Sequence, residues 1–369
     1  MSDPVVFEEL KTDSGLVIGH AELNVEGTLN SLSLEMVRLL HPAISAWSTR
    51  QDVACVLITA AGDRAFCAGG DIQALYRAID ANHAAGNVVN DYPFRFFEEE
   101  YRLDYLIHSC PKPVVTFGHG IVMGGGLGIF SASDYRVLTE KSRLAVPEIT
   151  IGLFPDAGAS WTLRNMAQHW ASFLGLTGSH VNATDALLAG MGTHVVGHEE
   201  RTLVQTQMVT LPWSGSDSDG PMVDEWLRGL ARPALPDGEL AAVPQRDALY
   251  DDFDKEIAAV QSLAGRSDWI DRGLSNLTRG CPTTAGIVVE QLRRVPDLSL
   301  AASYQMELTV ATHCAHNPDF REGVRALLID KDNSPAWQYG DLNGLDWDFV
   351  LSHFVDPWPE HPLADLEVA

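Results

Sequence analysis

The stretch HGIVMGGGLG (119–128) places five glycines within ten residues. Glycine in a helix or strand costs ~0.5–1 kcal/mol relative to alanine, so this density needs a physical reason. The apolar run VVTFG (114–118) precedes the stretch and the run LGIFSA (127–132) ends it, which predicts a strand, a loop and then a helix. The glycines would lie at the helix N-terminus, where unpaired N–H groups and the helix dipole favour negative charge.

The common motifs for phosphates, nucleophiles and zinc do not fit this stretch. A P-loop needs a lysine after its last glycine, and none follows here. A dinucleotide fingerprint needs two residues before its third glycine, whereas three residues separate Gly120 from Gly124. Neither a G-x-S-x-G elbow nor an H-E-x-x-H pattern occurs in the chain. What remains is chemistry performed by the backbone.

A second glycine pair lies in CAGGDI (67–72), again after an apolar run and before a helical pattern. Two such strand ends would supply two N–H donors, which is an oxyanion hole for a carbonyl oxygen that gains negative charge. The alternative for each glycine cluster is a tight turn or close helix packing. The spacing of the glycines is compatible with both interpretations.

Composition narrows the class of protein. The 369 residues are 46% hydrophobic and carry a formal charge of −25, which predicts a folded chain and argues against nucleic acid or an anionic membrane as a partner. No apolar run approaches the ~20 residues of a membrane span. The first residues, MSDPVVFEELKTDSG, lack the basic and apolar segments of a signal peptide. Five cysteines without a C-x-x-C pair predict reduced thiols, and hence a cytoplasmic location.

Strand and helix patterns alternate over about the first 210 residues. Two strands meet at a turn, Asp13–Gly15; Ser33 caps a helix; and VACVLIT (53–59) has the continuous apolar character of a buried strand. This order predicts a layered α/β core.

The rest of the chain differs in composition and in the spacing of its apolar residues. Residues 211–245 are rich in Pro, Gly, Ser and Asp, which indicates a linker with a short helix at 222–231. Beyond residue 246 the apolar spacing is helical almost throughout. We therefore predict an α/β core over 1–210, a linker over 211–245 and a mainly helical region over 246–369.

Three stretches together resemble the crotonase, or enoyl-CoA hydratase/isomerase, superfamily: AFCAGGDI (65–72), KPVVTFGHGIVMGGGLGI (112–129) and RLAVPEITIGLFPDAGAS (143–160). The resemblance implies a crotonase-like ββα spiral core that holds an acyl-CoA thioester carbonyl between the N–H groups of Gly70 and Gly125. It also implies substrate contacts from Ala68 and Asp71 in the first loop. The glycines would then bind a thioester oxygen and not a phosphate.

The carboxylates distinguish the members of the superfamily. Glu148 lies in an apolar stretch, LAVPEITI (144–151), where burial would raise its pKa and suit it to acid–base work; the alternative is a surface glutamate with an ionic partner. Hydratases of the superfamily carry a second glutamate three residues after the central glycine of the triplet. That position is Gly128 here, so hydration by two glutamates is not expected.

A second acid favours the thioesterase branch of the superfamily, the 3-hydroxyisobutyryl-CoA hydrolases of valine catabolism. Asp156 follows Glu148 in the arrangement P-E-x7-D of that branch, although a Pro-Asp pair before small residues also fits a helix N-cap. Glu100-Tyr101 matches the branch's Glu-Tyr pair and makes Glu100 a candidate substrate-binding residue, with a solvated helix face as the alternative. CPTTAGIVVEQL (281–292) and FREGVRALLIDKDNSPAW (320–337) resemble its helical C-terminal region.

The prediction is therefore hydrolysis of a short 3-hydroxyacyl-CoA. Gly70 and Gly125 would polarise the carbonyl, Glu148 would attack it or activate water, and Asp156 would orient water or the substrate hydroxyl. The alternatives are an enoyl-CoA isomerase or hydratase and a non-catalytic acyl-CoA-binding protein. No metal or other cofactor is expected, since coenzyme A is part of the substrate. The resemblance leaves two assemblies open, a homo-oligomer and a single chain whose extra helices cover the assembly surface.

Overall fold

The computed structural model describes residues 3–368. Ten strands follow one another as β1 (Val5–Lys11), β2 (Val17–Leu23), β3 (Val53–Ala60), β4 (Ala65–Cys67), β5 (Val114–Gly118), β6 (Ile121–Met123), β7 (Tyr135–Thr139), β8 (Arg143–Ala145), β9 (Val181–Asn182) and β10 (His194–Val196).

Helices lie between some of these strands and predominate after β10. They are α1 (Leu34–Thr49), α2 (Ile72–Ala85), α3 (Tyr92–His108), α4 (Gly124–Ala132), α5 (Ala159–Arg164), α6 (Gln168–Thr177), α7 (Ala183–Leu188), α8 (Arg201–Gln207), α9 (Asp219–Gly229), α10 (Phe253–Gln261), α11 (Asp268–Arg279), α12 (Pro282–Arg294), α13 (Leu300–His316), α14 (Pro318–Val324) and α15 (Trp347–Ser352). The mainly helical C-terminal region is confirmed.

A six-stranded sheet has the order β1-β2-β3-β5-β7-β10. β1 and β2 form an antiparallel hairpin, while each later neighbour pairs in parallel. The hairpin turns at Gly15, whose φ of 88° lies in the left-handed region that glycine adopts without strain. The side chain of Ser33 accepts a hydrogen bond from the N–H of Met36 and so begins α1 as its sequence predicts.

A second, four-stranded sheet has the order β4-β6-β8-β9. Its strands are only two or three residues long. β4 and β6 run parallel, so their carboxyl ends lie at the same edge. This places the two glycine-bearing loops side by side, because one loop follows each of these strands.

The chain divides into two compact units. The first contains residues 1–70, 102–144 and 181–238. Within it, an apolar cluster joins the six-stranded sheet to later segments: Ile18, Leu57, Val115 and Phe117 pack with Met208, Trp213, Val223 and Leu227. The helix predicted at 222–231 is α9, and its buried residues belong to this cluster.

The second unit contains residues 71–101, 145–180 and 239–369 and is predominantly helical. Helix α12 packs against α5, α6 and α15, and α13 packs against α5 and α14. Close approach requires Gly323, since a Cβ there would lie 2.3 Å from the backbone of Ile151. The predicted boundaries at residues 210 and 245 stay a prediction.

Two further features concern the environment of the protein. None of the described helices is both long enough and apolar enough to cross a membrane. All five cysteines are free thiols, and four of them are buried.

Candidate active site

The two glycine-bearing loops adjoin in the first unit. A Cβ added to Gly69 would lie 3.7 Å from the carbonyl oxygen of Met123, and one added to Gly126 would lie 2.5 Å from the Cβ of Cys67. The two loops therefore lie in contact, as the interpretation as an oxyanion hole requires. Its cause is the parallel pairing of β4 with β6, which ends both strands at the same edge.

The glycines of these loops serve different purposes. Gly126 is a packing residue, since any side chain there would overlap Cys67. Gly120 allows a close approach as well, because its Cβ would lie 2.2 Å from the carbonyl oxygen of Arg64 and its φ is 59°. The packing alternative is thus correct for these two positions.

Gly125 and Gly70 remain available for binding. Gly125 is the second residue of α4, a helix whose N-terminus has no side-chain cap, so its N–H precedes the first intrahelical hydrogen bond. Beside Gly70, the carbonyl of Gly69 accepts from the N–H of Leu32 at 2.8 Å. Among the described residues, the N–H of Gly70 has no backbone acceptor outside the regular elements. Both N–H groups therefore suit an oxyanion.

The other two residues of the first loop have local partners. The carboxylate of Asp71 accepts a 3.0 Å hydrogen bond from the N–H of Ala74 and caps α2. The N–H of Ala68 donates to the carbonyl of Leu29 at 3.1 Å. Substrate contacts from Ala68 and Asp71 stay predictions.

Glu148 is a buried acid in the second unit. It begins a short 3₁₀ helix, Glu148–Thr150, and only 4% of its surface is exposed. Among the described residues its Oε2 has no hydrogen-bond partner and its carboxylate forms no ion pair. The alternative of a surface glutamate with an ionic partner is therefore wrong. A buried carboxylate oxygen without a partner is a rare feature that suggests function.

Asp156 is also buried, and its partner is a phenol. The O–H of Tyr101 donates to Oδ2 of Asp156 at 2.6 Å. The cap of α5 is Gly158, with no side-chain hydrogen bond, so the helix-cap interpretation of Asp156 is wrong. The reason is the intervening Ala157, whose φ of 53° delays the helix. A non-glycine residue in this region costs ~1–2 kcal/mol.

Glu100 lies on the buried face of α3, with 2% of its surface exposed, whereas Glu98 and Glu99 are half-buried. The solvated-face interpretation is therefore wrong for Glu100.

Gly128 is a buried residue inside α4. This position has no side chain that could act as the second glutamate of a hydratase.

Two residues of the C-terminal helices belong to the site and were missed. Glu307, on α13, accepts hydrogen bonds from the N–H groups of Gly158 and Ser160 at 2.8 and 2.9 Å. Gln291, on α12, donates to the carbonyl of Pro155 at 2.6 Å and to Oγ of Ser160 at 2.7 Å. Each lies in a helical run that mixes polar with apolar residues, YQMELTV (304–310) and IVVEQL (287–292), so the sequence gives only a weak signal for either residue.

Burial dominates the electrostatics of the acid cluster, which we define as Glu148, Asp156 and Glu307. Burial raises the pKa of Glu148 well above its ordinary value, and the charges of Asp156 and Glu307 raise it further. Burial raises the pKa of Asp156 to about 6, against the opposing effect of the Tyr101 hydrogen bond. It raises the pKa of Glu307 to about 8, although the Ser160 and Gly158 donors favour the charged form. Asp156 and Glu307, whose pKa values are about 6 and about 8, can therefore exchange protons near neutral pH.

Known proteins share sequence with this chain over most of its length. The family model described as enoyl-CoA hydratase/isomerase matches residues 18–354. A Gallus gallus protein named "3-hydroxyisobutyryl-CoA hydrolase, mitochondrial" is 32% identical over 337 residues, which cover 91% of this chain and 86% of that protein. The Homo sapiens protein of the same name is 32% identical over 351 residues, covering 94% of this chain and 88% of the relative.

A solved structure is similar over nearly the whole chain. It is described as an enoyl-CoA hydratase from Rhodobacter sphaeroides 2.4.1, with a TM-score of 0.80 and 28% sequence identity, and the match covers 96% of this chain and 98% of that one. The predicted resemblance and the crotonase fold are confirmed. The chain belongs to the enoyl-CoA hydratase/isomerase family.

Proposed function

We propose that this protein hydrolyses a short 3-hydroxyacyl-CoA thioester, of the 3-hydroxyisobutyryl-CoA type, to the free acid and CoA. The observation that carries the proposal is the buried carboxylate of Glu148, whose Oε2 has no partner among the described residues, in the field of a second buried acid, Asp156. The names of the 32%-identical relatives support the same reaction.

The N–H groups of Gly70 and Gly125 would bind the thioester oxygen. Negative charge grows on that oxygen as the carbonyl carbon becomes tetrahedral, and two fixed donors stabilise it without reorganisation. Removal of one such donor typically lowers the rate by ~10²–10³. The proposal assigns this binding role to backbone atoms, so only a change at the backbone or an added side chain abolishes it.

Glu148 would act in its ionised form, by one of two routes. In the first, its carboxylate attacks the carbonyl carbon, the C–S bond breaks to release CoA, and water then hydrolyses the resulting anhydride. In the second, it takes a proton from water, the hydroxide attacks, and the proton passes to the departing sulfur. Both routes consume one water and yield one acid and one thiol, and both need Glu148 deprotonated.

The remaining site residues have supporting roles in the proposal. Asp156 would orient the attacking water or hold the substrate hydroxyl, with its own orientation set by Tyr101. Glu100 would assist in substrate binding, as would Ala68 and Asp71. Nothing in this scheme needs a metal or redox group, because the oxyanion donors and the carboxylates supply the electrostatic and proton-transfer steps.

A second candidate function is hydration or isomerisation of an enoyl-CoA, which the name of the solved relative suggests. Gly128 disfavours hydration, because the position of the second glutamate has no side chain. An isomerase needs Glu148 alone and gives no role to Asp156. A non-catalytic acyl-CoA-binding protein needs neither acid.

The proposal extends to partners and location. The partner is a small-molecule acyl-CoA, and neither nucleic acid nor a membrane is proposed, given the charge of −25. Five free cysteines favour a reducing compartment, and we keep the cytoplasm as the proposed location. For the assembly we keep both possibilities, a homo-oligomer and a single chain.

A thiol-release assay over several acyl-CoA esters separates these functions. The hydrolase proposal predicts free CoA from 3-hydroxyisobutyryl-CoA and no useful hydration of crotonyl-CoA. Loss of the crotonyl-CoA enoyl absorbance without thiol release would establish the hydratase instead. Binding of both esters without any product would leave the non-catalytic alternative.

A further inference from the structure

We propose that Glu307, assisted by Gln291, is a positioning residue for Asp156. Glu307 fixes the turn of residues 155–160 by accepting hydrogen bonds from two backbone N–H groups of that turn. This inference rests on the hydrolase function proposed above and assigns part of that function to the C-terminal helices. Glu307 does not touch the reacting atoms in this scheme. It acts through the turn that carries Asp156.

The hydrogen bonds around this turn come from two helices. The two carboxylate oxygens of Glu307 take separate donors, Gly158 N–H at 2.8 Å and Ser160 N–H at 2.9 Å. The side-chain amide of Gln291 donates to the carbonyl of Pro155 at 2.6 Å, on the other side of Asp156 in sequence. Asp156 is thus bracketed by anchored backbone groups.

The turn needs such anchors because its backbone is unusual. Ala157 has a φ of 53°, a region that residues with a Cβ seldom occupy. Strained conformations of this kind persist only where the surroundings hold them, and they concentrate at functional sites. Directly after the strained residue, Gly158 lies against Tyr304 of α13: a Cβ there would lie 2.6 Å from the Tyr304 hydroxyl oxygen.

A purely structural role is the competing explanation, and Glu256 offers a matched control. Glu256 is a second fully buried carboxylate, on α10. It accepts hydrogen bonds from Ser172 Oγ, from Arg246 and, at 2.9 Å, from the N–H of Tyr250. None of these donors belongs to the turn of Asp156, so Glu256→Gln reports the effect of losing a buried carboxylate, together with its ion pair to Arg246, at a place away from that turn.

The test compares Glu307→Gln, Glu307→Asp, Gln291→Met and Glu256→Gln in the full-length protein, with 3-hydroxyisobutyryl-CoA as substrate. Glu307→Gln keeps the shape of the side chain but presents an NH₂ group to a backbone N–H. We expect its kcat to fall by ~10–10²-fold, the size of effect that a ~1 Å misplacement produces. KM should change by less than roughly threefold, because the affected contact matters in the transition state.

We expect the kcat of each other variant to depend on how many of the hydrogen bonds to the turn it keeps. Glu307→Asp keeps a carboxylate for one donor and should recover part of the lost kcat. Gln291→Met should lower kcat as well, and it provides the test if Glu307→Gln does not fold. Glu256→Gln should lower the Tm and leave kcat per folded molecule unchanged. Unchanged kcat in both Glu307→Gln and Gln291→Met would overturn the proposal.

Amide hydrogen exchange of residues 156–160 separates this inference from the proposed function. Faster exchange in Glu307→Gln, but not in Glu256→Gln, is expected whichever reaction the protein catalyses. If the unaltered protein releases no CoA and the exchange still rises, the hydrolase function fails and the anchoring of the turn stands. If exchange at residues 156–160 is the same in Glu307→Gln and the unaltered protein, the anchoring is wrong.

Discussion

The hydroxyl of Tyr101 donates a 2.6 Å hydrogen bond to the carboxylate of Asp156, and both side chains are buried. A donor of this kind favours the ionised carboxylate, and here it opposes the burial that raises the pKa of Asp156 to about 6. The pair therefore keeps an acid charged in a place where burial alone would neutralise it.

Changes to the two members of this pair should move the pH profile in opposite directions. Tyr101→Phe removes the donor, raises the pKa of Asp156 and should shift the acidic limb of kcat/KM to higher pH. Asp156→Asn removes a charge that raises the pKa of Glu148, so the acidic limb of kcat/KM of this variant should move to lower pH. Asp156→Asn should also slow hydrolysis at least ~10-fold, which is about 1.4 kcal/mol of barrier.

Steady-state thiol release between about pH 5 and about pH 9 measures both effects, over a range that includes the pKa of about 6 of Asp156. An Asp156→Asn enzyme with full activity and an unmoved limb would remove Asp156 from the mechanism. It would also remove the main residue that favours a hydrolase over an isomerase.

Neighbouring glycines of α4 should respond differently to the same substitution. Gly125→Val should lower kcat by ~10²–10³, the usual loss for one oxyanion donor, with little change in Tm. Gly126→Val should lower the Tm, because its Cβ would overlap Cys67. Thermal melting and thiol release on both variants check this contrast. A Gly125→Val protein that melts like Gly126→Val would make Gly125 a packing residue.

Glu148 should make the fold less stable as pH rises. Its pKa is raised in the folded state by burial, while the unfolded chain has an ordinary glutamate. Between the unfolded-state pKa and the folded-state pKa, the folded protein therefore binds more protons than the unfolded chain. The stability of the fold falls as the pH rises through the folded-state pKa. Glu148→Gln cannot ionise, so its Tm advantage over the unaltered protein should grow as the pH rises above the ordinary glutamate pKa of 4.5.

Exposed Glu225 provides the control for that measurement. The Tm difference between Glu225→Gln and the unaltered protein should stay nearly constant with pH. A Glu148→Gln difference that is equally constant would show that burial does not disfavour the Glu148 charge.

The fold was predictable wherever a local pattern determines the structure. Continuous apolar character identifies β3, helical spacing after Ser33 identifies α1, and the glycine loops follow strands that end where the apolar runs end. The three-residue strand Ile121–Met123 was not predicted. It is too short to show an alternation, and it exists because the neighbouring strand β4 pairs with it.

The site was predictable only in part, for a related reason. Glu148 lies in a local apolar stretch, so its burial can be inferred from adjacent residues. The contact between Glu307 and Gly158 joins residues 149 positions apart, and no local pattern contains it. The N-cap alternative for Asp156 failed because a left-handed alanine, Ala157, follows it, a conformation that its residue type does not favour.

The central measurement concerns Glu148, the buried acid whose Oε2 lacks a partner in the described chain. Thiol release from 3-hydroxyisobutyryl-CoA and binding of the same ester are measured on the unaltered protein and on Glu148→Gln. Because the amide keeps the shape but can neither attack nor take a proton, we predict that turnover is abolished while the Kd stays within roughly threefold of the unaltered value. A Glu148→Gln protein that releases CoA at more than about a tenth of the original rate, a barrier change below about 1.4 kcal/mol, would contradict the assignment of Glu148 as the reacting acid.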